Sequence, residues 1–400
     1  MKFIVARDAF SQAVQTVQRA TATRVIQPIL SNIRLIITPE NPEQLQLAAT
    51  DLDLAIQTTC AATMITPGQI TLSARKLAEI LAKLPGNSSI EITVDHATQQ
   101  ANIRCGQSVF DMRTLPAEDF PTIPYLTSPS DITVELKAFL RAIQQTAFAA
   151  ASYETNNVLG GVFFRINLET LEMAATDGSR LARTIDTTPF QSAQGDVSAV
   201  IPVKALQELV KLASGLTKDV KPKAAASTED TPPEVVAETL PAAATVRLAI
   251  QDGQIAFEIP NAYLVSRLLD GQYPQYQQLI PNENKITAYA NKFDLIASLE
   301  RTAVMANERT NVVKLTFDNG VLSLAANTPD LGDSKDTIPV RYDCPEPLNI
   351  AFNYKYLLDA LKVIESDDVR METNGALAPT LFKSNDSNHY LCLVMPVQVK

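Results

Sequence analysis

Side chains suited to acid–base or metal chemistry are few and scattered in this 400-residue sequence. It holds only two histidines, His96 and His389, and four widely separated cysteines without a C-x-x-C pair. It also lacks a glycine-rich phosphate loop and a G-x-S-x-G nucleophile motif. The one pair of acids in matching contexts is Asp51 and Asp177, which each follow an apolar stretch and could be imagined as metal carboxylates.

These two aspartates end a stretch that occurs three times. Leu45–Asp51 reads LQLAATD, Leu171–Asp177 reads LEMAATD and Leu322–Thr328 reads LSLAANT. Because the third copy ends in threonine, the acids are more simply explained as turn residues that follow a strand. The copies begin at residues 45, 171 and 322, so the intervals are 126 and 151 residues. We interpret the chain as a triplicated unit whose middle copy carries an insertion.

Amphipathic segments keep a nearly fixed offset from these copies. Apolar residues at i, i+3 and i+4 predict helices that contain Leu77, Leu206 and Leu357, which lie 32, 35 and 35 residues after the copies begin. A second helix precedes each copy, and its candidate inward residues are Phe10, Val14 and Val17, Phe139 and Ile143, and Phe293 and Ile296. Each third is therefore internally doubled, with the order strand, helix and three strands repeated. Six similar helices and about two dozen antiparallel strands predict an α+β fold with sheets in one layer and helices in another.

Length and composition bound the class of protein. The chain is too long for one compact core and suits three domains, which we place at 1–127, 128–282 and 283–400. No apolar run approaches the ~20 residues of a membrane span, and Met1–Val5 is read as a first strand rather than a signal peptide. We expect buried, reduced cysteines, a cytoplasmic protein and no cofactor. A net charge of −10 argues against a broad basic surface but leaves room for a local basic face.

The insertion lies at about 217–245. It is rich in Ala, Pro, Thr, Glu and Lys and has no aromatic residue. Such a segment cannot bury enough apolar surface to offset its ordering entropy, so we expect a disordered excursion within the second domain. A partner-binding segment is the alternative.

Several motifs occur in a specific order along the chain. They are Arg24 with Pro28–Asn32 (PILSN), Leu115–Pro121 (LPAEDFP), Leu159–Val162 (LGGV), Ala175–Ala182 (ATDGSRLA), Asp270–Tyr276 (DGQYPQY) and Leu393–Val397 (LVMPV). Together they resemble the β subunit of bacterial DNA polymerase III, the replicative sliding clamp. The resemblance spans nearly the whole chain, with the insertion as its clear exception.

The resemblance implies a non-catalytic processivity factor. Two copies would form a head-to-tail homodimeric ring, with sheets outside and helices lining a hole through which duplex DNA passes. Its implied partners are duplex DNA without sequence preference, the replicative polymerase catalytic subunit, the clamp loader and other proteins with a clamp-binding motif, and no membrane. The implied DNA-facing residues are Arg24, Lys76, Lys83, Lys137, Arg141, Lys204 and Lys211. Each of them can equally be read as part of a solvated helix face.

A peptide-binding cleft between the second and third domains is also implied, where partners would insert a Gln-Leu-x-Leu-Phe-like segment. The matching positions are Leu159, Thr176, Gly178, Ser179, Arg180, Leu181, Pro274, Gln278, Leu279, Pro379, Leu393, Met395 and Val397. Ser179 stands where a larger polar residue is common, and Gln278 where a basic one is often found. Without the resemblance, Leu393–Met395 reads as a terminal core strand.

Family positions further imply a dimer contact of Phe110 and Met112 with Val304 and Met305 of the second copy.

Two other classes of function compete with the clamp. One is an enzyme, which the scarcity of catalytic motifs disfavours. The other is a triplicated scaffold that binds only proteins, which the acidic net charge would suit. Basic residues gathered on the helices would favour the clamp, yet Glu79, Glu208, Glu300 and Asp359 are also predicted to be helical.

Overall fold

The computed structural model describes residues 1–22, 27–127, 131–152, 157–167, 169–187, 191–192, 196–214, 216 and 244–398. Within these residues, six α-helices lie two to each third of the chain. They span Arg7–Gln18 (α1), Ala74–Lys83 (α2), Leu136–Thr146 (α3), Val203–Ala213 (α4), Lys292–Ala303 (α5) and Tyr354–Lys362 (α6). The sixfold helix repeat predicted from the sequence is confirmed. None of the helices in the described ranges is long and apolar enough to cross a membrane.

The described residues also form 26 β-strands, eight in the first third and nine in each of the others. The first set is Lys2–Ala6 (β1), Asn32–Thr38 (β2), Asn41–Thr50 (β3), Leu54–Thr66 (β4), Gly68–Ser73 (β5), Ser89–Asp95 (β6), Gln100–Cys105 (β7) and Ser108–Arg113 (β8). The second set is Ile132–Glu135 (β9), Gly161–Ile166 (β10), Leu171–Thr176 (β11), Arg180–Asp186 (β12), Gln191–Ser192 (β13), Val197–Pro202 (β14), Thr245–Gln251 (β15), Gln254–Ile259 (β16) and Ala262–Arg267 (β17). The third set is Ile286–Asn291 (β18), Val312–Asp318 (β19), Val321–Thr328 (β20), Gly332–Pro339 (β21), Arg341–Tyr342 (β22), Leu348–Asn353 (β23), Asp368–Thr373 (β24), Thr380–Ser384 (β25) and Tyr390–Val394 (β26).

The three copies of the repeated stretch are strands β3, β11 and β20. Each is paired antiparallel on both sides, β3 with β2 and β4, β11 with β10 and β12, and β20 with β19 and β21. Alternate residues such as Leu45 and Leu47 are buried because successive side chains of a strand point to opposite faces. The equivalent place of these strands confirms the triplication.

The chain divides by its contacts into two compact units. Unit 1 comprises Met1–Lys137, Pro189–Gln194 and Gln207–Arg267, and unit 2 comprises Ala138–Thr188, Gly195–Leu206 and Leu268–Lys400. The middle repeat supplies strands to both units. The predicted boundaries at 127/128 and 282/283 remain predictions.

Unit 1 contains a 13-stranded sheet. Its main path runs β13-β9-β15-β16-β17-β4-β1-β6-β7-β8, and β2, β3 and β5 branch from it. Antiparallel pairing of β17 with β4 makes the sheet continuous between the first and middle repeats. Helices α1 and α2 pack on each other, and α1 buries Phe10, Val14 and Val17 as predicted.

Unit 2 contains two sheets. The nine-stranded sheet has the order β14-β10-β11-β12-β26-β25-β24-β18-β22, and the four-stranded sheet has the order β21-β20-β19-β23. Pairing of β12 with β26 joins the middle repeat to the last one. Helix α5 packs against α6 and against the strands of the four-stranded sheet.

The predicted inward face of α5 is wrong. Phe293 is 59% exposed, whereas Leu295 and Leu299 are buried. The side chain of Asn291 caps this helix by accepting the backbone N–H groups of Phe293 and Asp294. Phe293 therefore lies in the first turn on the solvent side, and the apolar stripe begins two residues later than expected.

The prediction that all four cysteines are buried is confirmed for two of them. Cys105 and Cys392 are buried, but Cys60 and Cys344 are only half-buried; the four thiols are free.

The predicted insertion lies outside the described residues, except at its end, where Thr245 is the first residue of β15 and pairs with Glu135.

Candidate functional sites

The turn that connects β11 to β12 is built by side chains of the repeated stretch. The Asp177 carboxylate accepts backbone N–H groups of Ser179 and Arg180 at 2.9 and 3.0 Å. Thr176 Oγ1 accepts the Gly178 N–H at 3.1 Å and donates to the Arg180 carbonyl at 2.6 Å. Gly178 has a φ of +88°, a region that favours glycine.

The first repeat contains the same turn between β3 and β4. Asp51 accepts the N–H groups of Asp53 and Leu54 at 3.1 and 2.8 Å, and Thr50 Oγ1 donates to the Leu54 carbonyl. The interpretation of Asp51 and Asp177 as turn residues is confirmed.

Arg180 is held firmly beneath its turn. Its guanidinium is 3.1 Å from Asp177 and 2.6 Å from Asp359 of α6, and its side chain is 11% exposed. It also lies over the rings of Tyr356, 4.3 Å from the centroid, and Phe148, 5.4 Å from the centroid. Planar stacking with paired carboxylates is an arrangement that arginine satisfies and lysine does not. Arg180 therefore shapes the turn rather than offering an unpaired charge.

A buried apolar floor lies next to this turn. Leu181 of β12 is the cross-strand partner of Leu393 of β26, and the two are 1% and 3% exposed. They belong to a cluster with Leu381, Tyr273 and others. The backbone N–H of Met395 donates to the Ser179 carbonyl at 2.9 Å, which ties the chain after β26 to the turn. The structure thus brings together the β11–β12 turn and the chain after β26, two parts of the predicted cleft that are far apart in the sequence.

Three apolar side chains at the predicted cleft positions project to solvent. Leu279 is 55% exposed, Met395 40% and Val397 37%. Gln278 is exposed and donates from Nε2 to Gln275 Oε1 at 2.6 Å. The remaining predicted positions are Pro274, which is exposed, and Leu159 and Pro379, which are half-buried. A buried floor with an exposed apolar rim can hold apolar side chains of a peptide.

Two tyrosines of this site were not predicted. The Tyr273 hydroxyl accepts the backbone N–H of Thr176 at 3.1 Å, and burial raises the pKa of Tyr273 to about 12. The Tyr276 hydroxyl donates to Glu172 at 2.8 Å; burial first and then the Glu172 carboxylate raise the pKa of Tyr276. Both residues stand in the DGQYPQY motif, whose aromatic content was the signal available in the sequence.

The basic residues expected to face DNA lie on the helices, apart from Arg24, which is outside the described residues. Lys76 and Lys83 on α2, Lys137 on α3 and Lys204 and Lys211 on α4 are exposed. Several of these charges are partly neutralised. Lys76 pairs with Glu79 at 2.8 Å, Lys211 with Glu208 at 2.7 Å, and Arg141 on α3 with Asp186 and Glu365.

The four residues expected at a dimer contact lie at or beside sheet edges. Phe110 and Met112 are half-buried on β8, the last strand of its sheet. Val304 directly follows α5 and is 76% exposed. Met305 lies against the start of β21, where a Cβ on Gly332 would be 3.2 Å from the Met305 Cε.

These features define a class of protein, a triplicated α+β chain in which each repeat holds two helices and antiparallel strands, with an apolar surface site. Comparison with known proteins agrees. The N-terminal, central and C-terminal domain profiles of the DNA polymerase III beta subunit match residues 1–124, 133–228 and 277–398. The beta sliding clamps of Synechococcus elongatus and Synechocystis are 31% and 32% identical to this chain over the full length of both proteins. The crystal structure of the Bacillus subtilis DNA polymerase sliding clamp covers both chains completely, with a TM-score of 0.85 and 29% identity.

The chain therefore belongs to the DNA polymerase III beta subunit family, the beta sliding clamps. It has three clamp domains and acts as a non-catalytic processivity factor of a DNA polymerase. Its partners are DNA, a polymerase and a second copy of the chain.

Proposed function

We propose that two copies of this chain close head to tail into a ring around duplex DNA, with unit 1 of one copy meeting unit 2 of the other. The observation that carries this proposal is a pair of sheet edges that no described strand covers, with exposed apolar residues beside them. β8 ends the sheet of unit 1, and β21 ends the four-stranded sheet of unit 2. Such edges are ready templates for pairing with another chain.

The composition of β8 supports an interface. None of its six residues is buried, although Val109, Phe110 and Met112 are apolar. Near β21, Val304 and Leu331 are 76% and 66% exposed. Covering these side chains would add an apolar contact to the strand pairing, the combination that stabilises obligate dimers. Phe110 and Met112 of one copy would then contact Val304 and Met305 of the other.

The dimer is tested by changing Val304 and Met305 together to aspartate. We expect monomers at micromolar concentration, because two carboxylates would be buried without partners. Mass measured by light scattering after gel filtration reports the result. A Leu377→Asp variant is the matched control, since Leu377 is 66% exposed, close to the 76% of Val304, but is not assigned to the interface. A double variant that stays dimeric would place the interface elsewhere.

We further propose that the cleft receives a short peptide of the Gln-Leu-x-Leu-Phe type from the replicative polymerase catalytic subunit, the clamp loader and other proteins with a clamp-binding motif. The exposed apolar side chains of Leu279, Met395 and Val397 support this, because a few well-packed apolar contacts usually carry most of the binding energy of an interface. Thr176, Gly178, Ser179 and Arg180 would fix the direction of the peptide through the turn.

DNA is proposed to lie against the helices. Exposed lysines on α2, α3 and α4 contact phosphates without reading bases, so the ring slides. This activity belongs in the cytoplasm, where bacterial DNA lies. We also propose that the three clamp domains span residues 1–127, 128–282 and 283–400.

A further inference from the structure

The apolar floor of the cleft continues into a polar depression of about 420 Å³ on the same face of the nine-stranded sheet. Strand register places two cross-strand rows side by side. The first row runs Leu181, Leu393, Leu381 and Glu372, and the second runs Arg183, Leu391, Lys383 and Arg370. Residues two apart on one strand share a face and lie about 7 Å apart. The cations Arg183, Lys383 and Arg370, hereafter the basic row, therefore border the cleft floor.

The basic row carries more positive charge than its neighbours neutralise. Lys383 Nζ is 2.7 Å from Glu372, and Arg370 Nε is 3.0 Å from the same carboxylate. Arg183 Nε is 3.8 Å from Glu172, which also accepts the Tyr276 hydrogen bond. Among the residues that line the depression and their ion-pair partners, three cations thus meet two carboxylates.

Two hydrogen-bond donors of the basic row also lack an acceptor among the described residues. The Nε atoms of Arg183 and Arg370 are buried and form no hydrogen bond to any described residue, although each is within ion-pair distance of a glutamate. The side chains of Arg183, Arg370 and Lys383 are 22%, 22% and 18% exposed. Charges that are largely withdrawn from water interact more strongly and are less screened by salt than surface charges. An added anion would therefore be favoured here.

The equivalent place in unit 1 shows that the fold does not require this charge. There the matching row is Gln57, Tyr263, Glu258 and Arg247, beside a depression of about 310 Å³. Arg247 pairs with both Glu258 and Asp131, and Arg34 also lines the depression. The same strand positions hold one glutamate and one arginine in unit 1 but three cations and no acid in unit 2.

We propose that the basic row is an extension of the cleft that binds the carboxylate of an Asp or Glu flanking the apolar anchors of a clamp-binding peptide. This inference rests on the proposed peptide cleft. An extended peptide advances about 3.3 Å per residue. One or two residues beyond the anchor over Leu181 and Leu393 therefore reach Arg183 and Lys383. Arginine and lysine recognise a carboxylate through charge-assisted hydrogen bonds.

The test uses three labelled peptides of equal length, titrated into the full-length dimer by fluorescence anisotropy. One has the Gln-Leu-x-Leu-Phe core with neutral Gln on both flanks, and the others carry Glu two residues before or two residues after the core. We expect one acidic peptide to bind roughly three- to tenfold more tightly than the neutral one at low salt. Raising the salt concentration to 0.5 M should shrink that advantage.

Variants then assign the effect to the basic row. Arg183→Gln or Lys383→Gln should reduce the advantage of the acidic peptide and leave the affinity for the neutral peptide unchanged. Both variants should fold, because each leaves the neighbouring glutamate with a partner. Glu172 still accepts the Tyr276 hydrogen bond, and Glu372 still pairs with Arg370. Lys314→Gln, an exposed change on β19 of the same unit, is the matched control and should keep the full advantage.

The outcomes separate this inference from the proposed function. If the neutral peptide binds and neither acidic peptide binds more tightly, the basic row is not a subsite, although the cleft stands. An advantage that survives in both Arg183→Gln and Lys383→Gln also overturns the assignment. If no peptide binds, the cleft itself is misplaced and the subsite falls with it.

Discussion

At the scale of single residues, some side chains of the proposed cleft are already buried or paired, and others remain available to a ligand. Leu181 and Leu393 are already buried, and Arg180 is engaged by Asp177 and Asp359. Substituting any of these would damage the cleft before it could report on binding. Met395, 40% exposed, can still gain contact from a ligand.

Met395→Ala should therefore weaken binding of the neutral Gln-Leu-x-Leu-Phe peptide. Fully burying a side chain of this size contributes roughly 1.5–3 kcal/mol, and part of that is lost on truncation, so we expect about a tenfold increase in Kd. Gln278→Ala is the comparison, because Gln278 lies exposed at the rim; its Kd should stay within about twofold of wild type. Calorimetry measures both. Wild-type affinity for Met395→Ala in an intact dimer would show that the peptide binds elsewhere.

At the scale of elements, the two equivalent turns carry different residue types at the position where the backbone φ is positive. Gly178 has a φ of +88°, and its counterpart in the first repeat, Leu52, has a φ of +80°. A leucine there carries a steric penalty of roughly 1–2 kcal/mol that glycine avoids. The hydrogen bonds of Thr50 and Asp51 hold Leu52 in this conformation. Its side chain is 48% exposed, so it contributes little burial in return.

Leu52→Gly should consequently raise the melting temperature slightly, by roughly 1–2 °C, because relief of the strain exceeds the extra chain entropy of glycine in the unfolded state. Differential scanning calorimetry is the measurement. Gly178→Ala is the reciprocal control and should lower the melting temperature. Apart from Gly178 and its two chain neighbours, no described residue has an atom within 4 Å of the added Cβ, so backbone strain is what this variant tests. A fall in melting temperature for Leu52→Gly would mean that the leucine side chain makes a stabilising contact.

At the scale of the whole molecule, a protein with a net negative charge must stay on DNA, which is also negatively charged. The net charge is −10, and the expected DNA-facing cations Lys76, Lys211 and Arg141 are already paired with carboxylates. Contact with phosphates alone should therefore be weak and should fall with salt. Retention on DNA must come from closure of the ring.

Once loaded, the dimer should stay on nicked circular DNA and leave when the circle is cut to a linear duplex. Gel filtration of DNA-bound protein before and after cutting checks this. Lys83→Glu with Lys137→Glu should weaken binding to short duplexes without releasing the protein from circles, because phosphate contact and topology are separate. Tight, sequence-dependent binding to a short linear duplex would contradict topological retention.

The sequence alone determined the repeat and much of the local structure. The spacing of LQLAATD-like stretches and of apolar residues at i, i+3 and i+4 predicted six helices and the strands β3, β11 and β20. Asp51 and Asp177 were recognised as turn residues. These features are local, because hydrophobic periodicity and turn chemistry are set by residues close in the chain. Motif resemblance then named cleft positions such as Leu181 and Leu393.

Only the tertiary structure decided which side of an element is used and which charges are neutralised. The spacing of apolar residues places Phe293 in the core, but this residue lies in the first turn after the Asn291 cap and is exposed. Tyr273 enters the site through a hydrogen bond to Thr176, and Arg180 is held by Asp359 from a different repeat. The basic row exists because β12, β26, β25 and β24 pair in one register. Register between segments far apart in sequence depends on packing across the whole sheet, and the spacing of residues along the chain does not encode it.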